Sequence, residues 1–409
     1  MMYTIPESKK RELSSLLLLL AKNLDITKTQ FDNLSQSYMD VGRFLENDEQ
    51  FADCHPVVSP QGSLRLGTII QPISKDDDLD VDLVYRLSSK PYYWTQKTIK
   101  DKVGERLKSS ERYAPMLEKD EGRRCWTLLY RDNADNPKEK YHMDILPCVS
   151  NSMYNDNFTR LSRETYSRES VEQIAIRITD KESEGYATDT NENNWLKSNP
   201  DGYALWFASR CKQTTQLREA KVEDIIPIGK YREDKTTLQR VVQLLKRHRD
   251  IMFRNDTEDK PLSIIITTLA SRAYKGESDI LEALVNVIMG METYIDKDAD
   301  GNYVISNPVN EEENFADKWP THPKRKENFF KWLAQLKTDL RSLHNNTGIE
   351  LQRTLSNSFG EEVTSRSYTN FTADKQKEFT GSAAKISATG VLGTIGKTLN
   401  AANTFYGKK

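Results

Sequence analysis

The chain is 409 residues long, and this length predicts a two-lobed enzyme or two domains. Its 59 basic and 61 acidic residues give a net charge of −2, which argues against gripping long nucleic acid through overall charge, because phosphate binding rests on clustered Lys and Arg. The four cysteines are scattered without a C-x-x-C pair, which argues against a zinc site and a disulfide framework.

The predicted elements begin with two helices, over residues 7–23 and 27–46. The basic residues 9–11 followed by LSSLLLLLA resemble a signal peptide, but Ser14 and Ser15 interrupt the apolar run and no small-residue cleavage site follows. We therefore interpret the first segment as an amphipathic helix. Because no other segment approaches the length of a membrane span, we expect a cytoplasmic protein without a membrane segment.

From Pro56 onward the pattern changes to strands. They are predicted at SLRLGTII, DLDVDLVYRL, CWTLLYR and YHMDILPCV, with one helix near residues 96–113 between them. Helices and strands in this order predict an α+β lobe. Residues 150–200 are polar and have few apolar runs, so we interpret them as a long surface excursion.

Helical spacing dominates from Tyr203 onward. It occurs in YALWFASRCKQTTQL, KTTLQRVVQLLKRHRDIMF, LSIIITTLASRAY, DILEALVNVIMGM and NFFKWLAQLKTDLRSL, and predicts a helical lobe over residues 203–345. The first lobe is then residues 1–202, and residues 346–409 form a C-terminal extension. After Thr380 the chain has no acidic residue and is rich in small residues, which predicts a flexible tail from about residue 380.

Alternating carboxylates mark the second predicted strand. In a strand, alternate side chains share a face, so Asp78, Asp80 and Asp82 would point the same way. Three such carboxylates repel one another unless divalent cations bind them. The alternative is a later strand start, with the first of these acids in a solvated turn. Asp144, in the apolar strand YHMDILPC, favours the cation site, because two-metal sites need a third carboxylate from a neighbouring strand.

Two further features suggest a site for a phosphorylated ligand. Gly62 would let the backbone approach a phosphate, with the Ser63 hydroxyl beside it, although Gly-Ser alone is weak evidence. In LQRVVQLLKRHRD, Lys246 shares one helix face with Gln239, Gln243 and Asp250. The alternative for Lys246 is a solvated lysine in a basic run.

The combined pattern resembles the DNA polymerase β-like nucleotidyltransferases. It is most similar to the bacterial CD-NTases, which are related to cyclic GMP-AMP synthase and oligoadenylate synthase. The motifs GSLRLGT, LDVDLV and HMDILP carry the resemblance, with ITDK, SNPDGYALWF, LQRVVQLLKRHRD and NPVNEEENFADKW further along. The resemblance extends to about residue 345. It implies a catalytic nucleotidyltransferase lobe with N-terminal helices, a helical lobe and an active site in the cleft between them.

The resemblance also implies roles for individual residues. Asp80 and Asp82 would bind two Mg²⁺ ions, with Mn²⁺ as a possible substitute, and Asp144 would be the third ligand beside the attacking hydroxyl. The residues that would contact the triphosphate are Gln61, Gly62, Ser63, Lys246 and Ser263. The substrates would be nucleoside triphosphates, with ATP among them, and pyrophosphate would be released.

The product implied is a cyclic di- or trinucleotide second messenger in bacterial antiphage signalling. A downstream effector would bind this product rather than the enzyme, and ubiquitin-like conjugation machinery would act on the C-terminal tail. The cysteine pattern lacks the zinc ribbon that cyclic GMP-AMP synthase uses in sensing DNA. Two alternatives stay open: an enzyme with a linear product, of the oligoadenylate or CCA-adding type, and a non-catalytic binding module on the same fold.

Three weaker signals have simpler interpretations. DKDADGNYVISN, at residues 296–307, has the acidic spacing of a calcium loop, but Asn307 replaces its final Glu, so a turn into a strand is expected. His142 lies on the same strand face as Asp144 but is expected to be solvated. Tyr203 and Trp206 lie where they would stack on a base, although helix residues of this type more often belong to the core.

Overall fold

The computed structural model describes most of the chain. The described residues are 6–73, 79–130, 140–150, 157, 161, 167, 171–211, 231, 233–380, 385–386, 392–393 and 398–399. Asp78 and most of the predicted tail lie outside these residues.

The elements, in chain order, are numbered here for helices and strands separately. The α-helices span Glu7–Asn23 (α1), Lys28–Glu46 (α2), Gly62–Arg65 (α3), Gln96–Lys108 (α4), Pro200–Cys211 (α5), Thr237–Met252 (α6), Ser263–Ala273 (α7), Ile280–Gly290 (α8), Pro323–Asn345 (α9), Gly348–Phe359 (α10) and Glu361–Thr380 (α11). The strands span Val57–Gln61 (β1), Leu79–Leu87 (β2), Trp126–Tyr130 (β3), Tyr141–Val149 (β4), Ile176–Ile178 (β5), Lys197–Ser198 (β6), Asp296–Lys297 (β7), Tyr303–Val304 (β8), Ser306–Asn307 (β9), Asn310–Asn314 (β10), Lys385–Ile386 (β11), Leu392–Gly393 (β12) and Thr398–Leu399 (β13). Short 3₁₀ helices lie at Glu49–Cys54, Ala114–Met116, Glu172–Ile174, Glu192–Asn194 and Met291–Tyr294.

A mixed sheet lies at the centre of the N-terminal half. Its order is β1-β2-β4-β5-β6, and β3 pairs with the first half of β4. β2 and β4 run parallel, whereas β1 is antiparallel to β2. Together with the helices of the C-terminal half, this sheet confirms the predicted α+β fold.

The apolar residues of β2 and β4 explain why the two strands lie at the centre of the sheet. On one face, Val81, Leu83, Met143 and Ile145 are buried in a core with α2 and α4. On the other face, residues near the ends of both strands, such as Leu146, join a second core with the C-terminal helices. Strands that are buried on both faces are typical of parallel pairs.

The first helix packs away from the sheet. Leu13, Leu16, Leu17 and Leu20 of α1 are buried in the same core as α6 and α8. Burying each of these side chains contributes about 2 kcal/mol. α1 also contacts α11, which the sequence did not predict as a helix. The N-terminal helix is therefore fixed to the C-terminal half of the molecule.

The predicted strand at residues 63–70 is wrong. Ser63 lies in the short helix α3, and none of the residues 66–73, where the description ends before β2, is in a strand. Gly62 and Gly67 have φ angles of 65° and 67°, which extended strands do not use. The apolar residues Ile69 and Ile70 are buried nonetheless. The apolar pattern of this segment therefore indicated burial correctly, although the segment is not a strand.

The described part of residues 150–200 also differs from the surface excursion that we predicted. β5 and β6 extend the central sheet, and Ile174, Ile176 and Trp195 are buried. The calcium-like stretch forms the predicted turn between two short strands, β7 and β8. There the Asp298 carboxylate accepts hydrogen bonds from the backbone of Asp300 and Asn302, at 3.0 and 2.8 Å.

The C-terminal region is described in part. β12, β11 and β13 form a small antiparallel sheet, and the rest of the predicted tail lies outside the described residues. Among the helices that the structure describes, none combines the length and apolar character needed to cross a membrane.

Candidate active site

Two carboxylates lie side by side at the centre of the sheet. The parallel register of β2 and β4 pairs Asp82 with Asp144, and Asp80 with His142. Within the antiparallel pair, Gln61 at the end of β1 is opposite Asp82. The sheet therefore brings together residues that are far apart in the sequence, as the interpretation of Asp80, Asp82 and Asp144 required.

The turn after β1 is fitted closely against Asp82. Gly62 adopts a φ of 65°, and a Cβ atom placed on it would overlap the Asp82 carboxylate. Glycine is therefore required both for the backbone conformation and for the space. Ser63 follows in the first turn of α3, where its carbonyl accepts a hydrogen bond of 2.9 Å from the Thr68 backbone. Its side chain is half-buried.

The Asp82 carboxyl is held in an unfavourable environment. Burial, together with the charges of Asp80 and Asp144, raises its pKa to about 7, and this value includes the opposing effect of the positive charge of Lys246. Burial likewise raises the pKa of Asp144. The Thr127 hydroxyl lowers that pKa by donating a 2.5 Å hydrogen bond to the Asp144 carboxylate. Asp80 is in a different environment from these two carboxyl groups, since 81% of its side chain is exposed to solvent.

These carboxylates fit a hard divalent cation in their donor chemistry. Such ions take oxygen ligands, and a bound cation would offset the cost of ionising Asp82. In the described residues, no three His, Cys, Asp or Glu side chains already converge as a ligand set. Asp80 is directed toward His142, with 3.9 Å between the Asp80 carboxylate and His142 Nδ1. Completing the set therefore requires a rotation of exposed side chains such as Asp80.

Helix α6 reaches the site from the C-terminal half. Its side chains donate hydrogen bonds to the carbonyl groups of the segment after α3: Gln239 to Leu66, Gln243 to Ile69, Lys246 to Thr68 and Arg247 to Gln71, at 2.6–3.2 Å. Thr236 caps the start of the helix, and its hydroxyl accepts from the Gln239 backbone. The polar face predicted for α6 thus holds the segment that directly follows the turn with Gly62 and Ser63.

Lys246 is buried, with 6% of its surface exposed, so the alternative of a solvated lysine is wrong. Burial and the nearby Arg249 lower its pKa to about 8, while Asp80 and Asp82 act in the opposite direction. Its ammonium group donates to the Thr68 carbonyl over 3.2 Å. Lys246 is therefore a buried cation close to the carboxylates.

Ser263 is connected to this group indirectly. It begins α7, and its hydroxyl accepts a 2.7 Å hydrogen bond from Arg249, which also pairs with Asp250. Arg249 was not singled out from the sequence. Its contacts tie α6 to the start of α7, which places Ser263 on the Lys246 side of the site.

Ion pairs that were not predicted from the sequence stabilise the region around the Gly62–Ser63 turn. Asp201 of α5 forms buried ion pairs with Arg65 of α3 and Arg86 of β2. One carboxylate thus connects the Gly-Ser turn, the strand of Asp80 and Asp82, and the first helix of the C-terminal half. Asp201 lies in the motif SNPDGYALWF, which was named from the sequence. The ion-pair partners of Asp201 could not be predicted, because they depend on strand pairing that is not visible in the sequence.

A cleft of about 610 Å³ opens beside these residues. Gln61, Gly62 and Asp82 lie on its surface, and Asn307, Asn310 and Glu313 of β9 and β10 contribute another part of its wall. This volume falls within the usual range for small-molecule sites. Tyr203 also lines the cleft, yet it and Trp206 are 6% and 7% exposed, so both belong largely to the core.

Several known proteins are similar to this chain in sequence and in fold. Residues 12–175 match the family model described as the Second Messenger Oligonucleotide or Dinucleotide Synthetase domain. A c-di-GMP synthase from Roseivirga ehrenbergii is 30% identical over 412 residues, which cover 98% of this chain and 99% of the relative. The cyclic dinucleotide synthase CdnG from Bradyrhizobium diazoefficiens is 24% identical over 334 residues, which cover 76% of this chain and 71% of that one.

The structure of the Bradyrhizobium diazoefficiens CD-NTase CdnG in complex with GTP has a similar fold. The TM-score is 0.62 at 20% sequence identity, and the match covers 88% of this chain and 99% of that one. The likeness in fold therefore includes both the central sheet and the helices of the C-terminal half.

Proposed function

The chain belongs to the CD-NTase family of bacterial nucleotidyltransferases, and from this membership we propose that it joins two GTP molecules into a cyclic dinucleotide. The observation that carries the proposal is the parallel pairing of β2 and β4, which sets Asp82 beside Asp144 below the Gly62 turn. The choice of GTP rests on the full-length relative, which is named a c-di-GMP synthase. The resemblance had favoured ATP among the substrates, so both nucleotides enter the test.

In this proposal Asp80, Asp82 and Asp144 bind divalent cations, with Mg²⁺ as the first choice. Bound cations would supply positive charge that lowers the pKa of a ribose hydroxyl and neutralises the attacked phosphate. The raised pKa of Asp82 supports this assignment, since a cation relieves the repulsion between the carboxylates. Thr127 keeps Asp144 oriented through its hydroxyl.

The triphosphate would lie against the turn that follows β1. Gly62 exposes backbone at that turn, and Gln61 and Ser63 flank it with polar side chains. Lys246 of α6 supplies a positive charge from the C-terminal half. Ser263, at the start of α7, lies on the same side of the cleft and accepts a hydrogen bond from Arg249. These groups would hold the pyrophosphate part of the substrate while its α-phosphate faces the carboxylates.

Each round of the reaction exchanges one phosphate bond for another. A ribose hydroxyl of one nucleotide attacks the α-phosphate of the other, the bond to the β-phosphate breaks, and pyrophosphate leaves. The hydroxyl proton passes to a nearby base, for which Asp144 is the candidate because its raised pKa favours proton uptake. A second round within the linear intermediate closes the ring. The product would act in antiphage signalling by binding a separate effector protein.

The test is incubation of the full chain with each α-³²P-labelled NTP, alone and in pairs, with Mg²⁺ or Mn²⁺. The matched variants are Asp82→Asn and Asp32→Asn, which make the same change at the site and on the exposed surface of α2. We expect a phosphatase-resistant product from GTP that Asp82→Asn abolishes and Asp32→Asn retains. A product that persists in Asp82→Asn would refute the proposed site.

A further inference from the structure

The hairpin of β9 and β10 presents hydrogen-bond acceptors to the cleft. Asn310 and Glu313 both line the cleft that also contains Asp82 and Gly62. Asn310 is 3% exposed, and its Oδ1 atom has no hydrogen-bond partner among the described residues. A buried acceptor without a partner costs about 1–3 kcal/mol, so such an atom in a cleft wall points to a ligand that donates to it.

The orientation of the Asn310 amide is fixed by its other contact. Asn310 Nδ2 donates to the Lys197 carbonyl over 3.1 Å, and this carbonyl can only accept. Turning the amide over would place two oxygen atoms against each other. The free atom of Asn310 is therefore the oxygen, an acceptor.

Glu313 is oriented in a similar way by Asn307. The Asn307 Oδ1 atom accepts a 3.0 Å hydrogen bond from the Val309 backbone, so its Nδ2 atom must donate. That donation reaches Glu313 Oε2 over 2.7 Å. Burial raises the pKa of Glu313, and the Asn307 hydrogen bond and the charge of Arg124 offset part of the rise. The Asn310 side chain also hydrogen-bonds to this carboxylate and lowers its pKa further. Because an ionised carboxylate has about four lone-pair sites, Glu313 can still accept a hydrogen bond from a ligand in the cleft.

We propose that Glu313 and Asn310 read the guanine base of a bound GTP. Guanine presents N1–H and N2–H₂ as adjacent donors, which two neighbouring acceptors satisfy. Adenine presents an unprotonated N1 at the corresponding edge, where it would face an acceptor without a proton between them. The ring of Phe315 lines the same cleft and adds flat apolar surface for a base. The inference rests on the proposed function and specifies how that site selects its nucleotide.

The test of Glu313 uses its isosteric amide. In Glu313→Gln, the donors of Asn307 and Asn310 still require an acceptor, so the new carbonyl oxygen takes those contacts and the new NH₂ group faces the cleft. A donor in this place opposes guanine N1–H and suits adenine N1. We expect the affinity for GTP to fall about tenfold and that for ATP to rise. Glu311→Gln is the matched control, because Glu311 lies on the same strand but outside the cleft wall.

The test of Asn310 uses ITP, which lacks the guanine N2 amino group. We expect the wild-type protein to bind GTP about tenfold more tightly than ITP, and Asn310→Ala to lose that preference. Thermal melting of each variant checks that the fold is intact. Because the wild-type preference needs no mutation, the inference stays testable even if Asn310→Ala does not fold.

The measurement is competition of GTP, ITP and ATP against a fluorescent GTP analogue, with Ca²⁺ in place of Mg²⁺ to suppress turnover. Equal binding of GTP and ITP to the wild-type protein would overturn the role of Asn310. An unchanged GTP-to-ATP ratio in Glu313→Gln would overturn the role of Glu313. Failure of the proposed function has a different signature, which is absence of nucleotide binding by the wild-type protein.

Discussion

The Asp82 carboxylate should cost the protein stability at neutral and alkaline pH. Burial, Asp80 and Asp144 together raise its pKa from 3.8 to about 7. A carboxyl whose pKa is higher in the folded protein favours folding when it is protonated. This contribution is complete below pH 3.8 and is lost as the pH rises through about 7. Asp82→Asn keeps the shape of the side chain and removes the charge, so the variant should be the more stable protein at pH 8.

The magnitude follows from the size of the pKa change. A rise of about 3 in pKa corresponds to about 4 kcal/mol, at about 1.4 kcal/mol for each unit of pKa. Asp82 is only half-buried by solvent exposure, so screening by water reduces this value. We expect Asp82→Asn to raise the free energy of unfolding by about 2 kcal/mol at pH 8 and by less than about 1 kcal/mol at pH 4.5.

Urea denaturation of both proteins at the two pH values, with EDTA present, measures this difference. Asp32→Asn, at an exposed position, should change the free energy of unfolding little at either pH. Adding Mg²⁺ at pH 8 should stabilise the wild-type protein and not Asp82→Asn, because the cation offsets the repulsion that the variant no longer has. A variant that is no more stable than the wild type at pH 8 with EDTA would refute the reasoning.

Three further predictions concern activity, measured as pyrophosphate release. Gly62→Ala should lower kcat at least 100-fold, because its Cβ overlaps the Asp82 carboxylate, whereas Gly301→Ala, also at positive φ but in open space, should not. Lys246→Met should raise the KM for GTP at least tenfold. In the wild-type protein the KM should rise above pH 8, because Lys246, with its pKa of about 8, loses its charge there. A KM that stays constant across this pH range would contradict a role of Lys246 in binding GTP. Thr127→Val removes the hydrogen bond that lowers the pKa of Asp144, so the acid limb of the kcat profile should move to higher pH; an unmoved limb would contradict proton uptake by Asp144.

The sequence was informative where one residue's neighbours in the chain are also its neighbours in space. β2 and β4 were predicted because their apolar residues alternate with Asp80, Asp82 and Asp144. The polar face of α6 was predicted from helical spacing, and its Gln239 and Gln243 do hydrogen-bond to the segment that follows the Gly-Ser turn. The roles of these residues in catalysis stay predictions until the variants are measured.

The sequence was misleading where distant contacts decide the local structure. Residues 63–70 look like a strand, yet carbonyl groups in this stretch, such as those of Leu66 and Ile69, accept hydrogen bonds from α6 instead of a neighbouring strand. The connection of Asp201 to Arg65 and Arg86 depends on the pairing of β1 with β2 and the arrival of α5. Asn310 likewise shows its unpaired oxygen only once β10 is placed beside Lys197. Periodicity within one segment carries no information on such pairings.

Mass spectrometry of the product formed from GTP and Mg²⁺ tests the central claim most directly. A cyclic dinucleotide has released two pyrophosphates and keeps one phosphate per nucleotide in its ring, whereas a linear dinucleotide has released one and keeps a triphosphate at its 5′ end. We predict that the wild-type protein accumulates the cyclic species and that Asp82→Asn forms neither. Accumulation of the linear species alone, over many turnovers, would contradict a cyclic dinucleotide synthase and indicate an enzyme of the linear-product type.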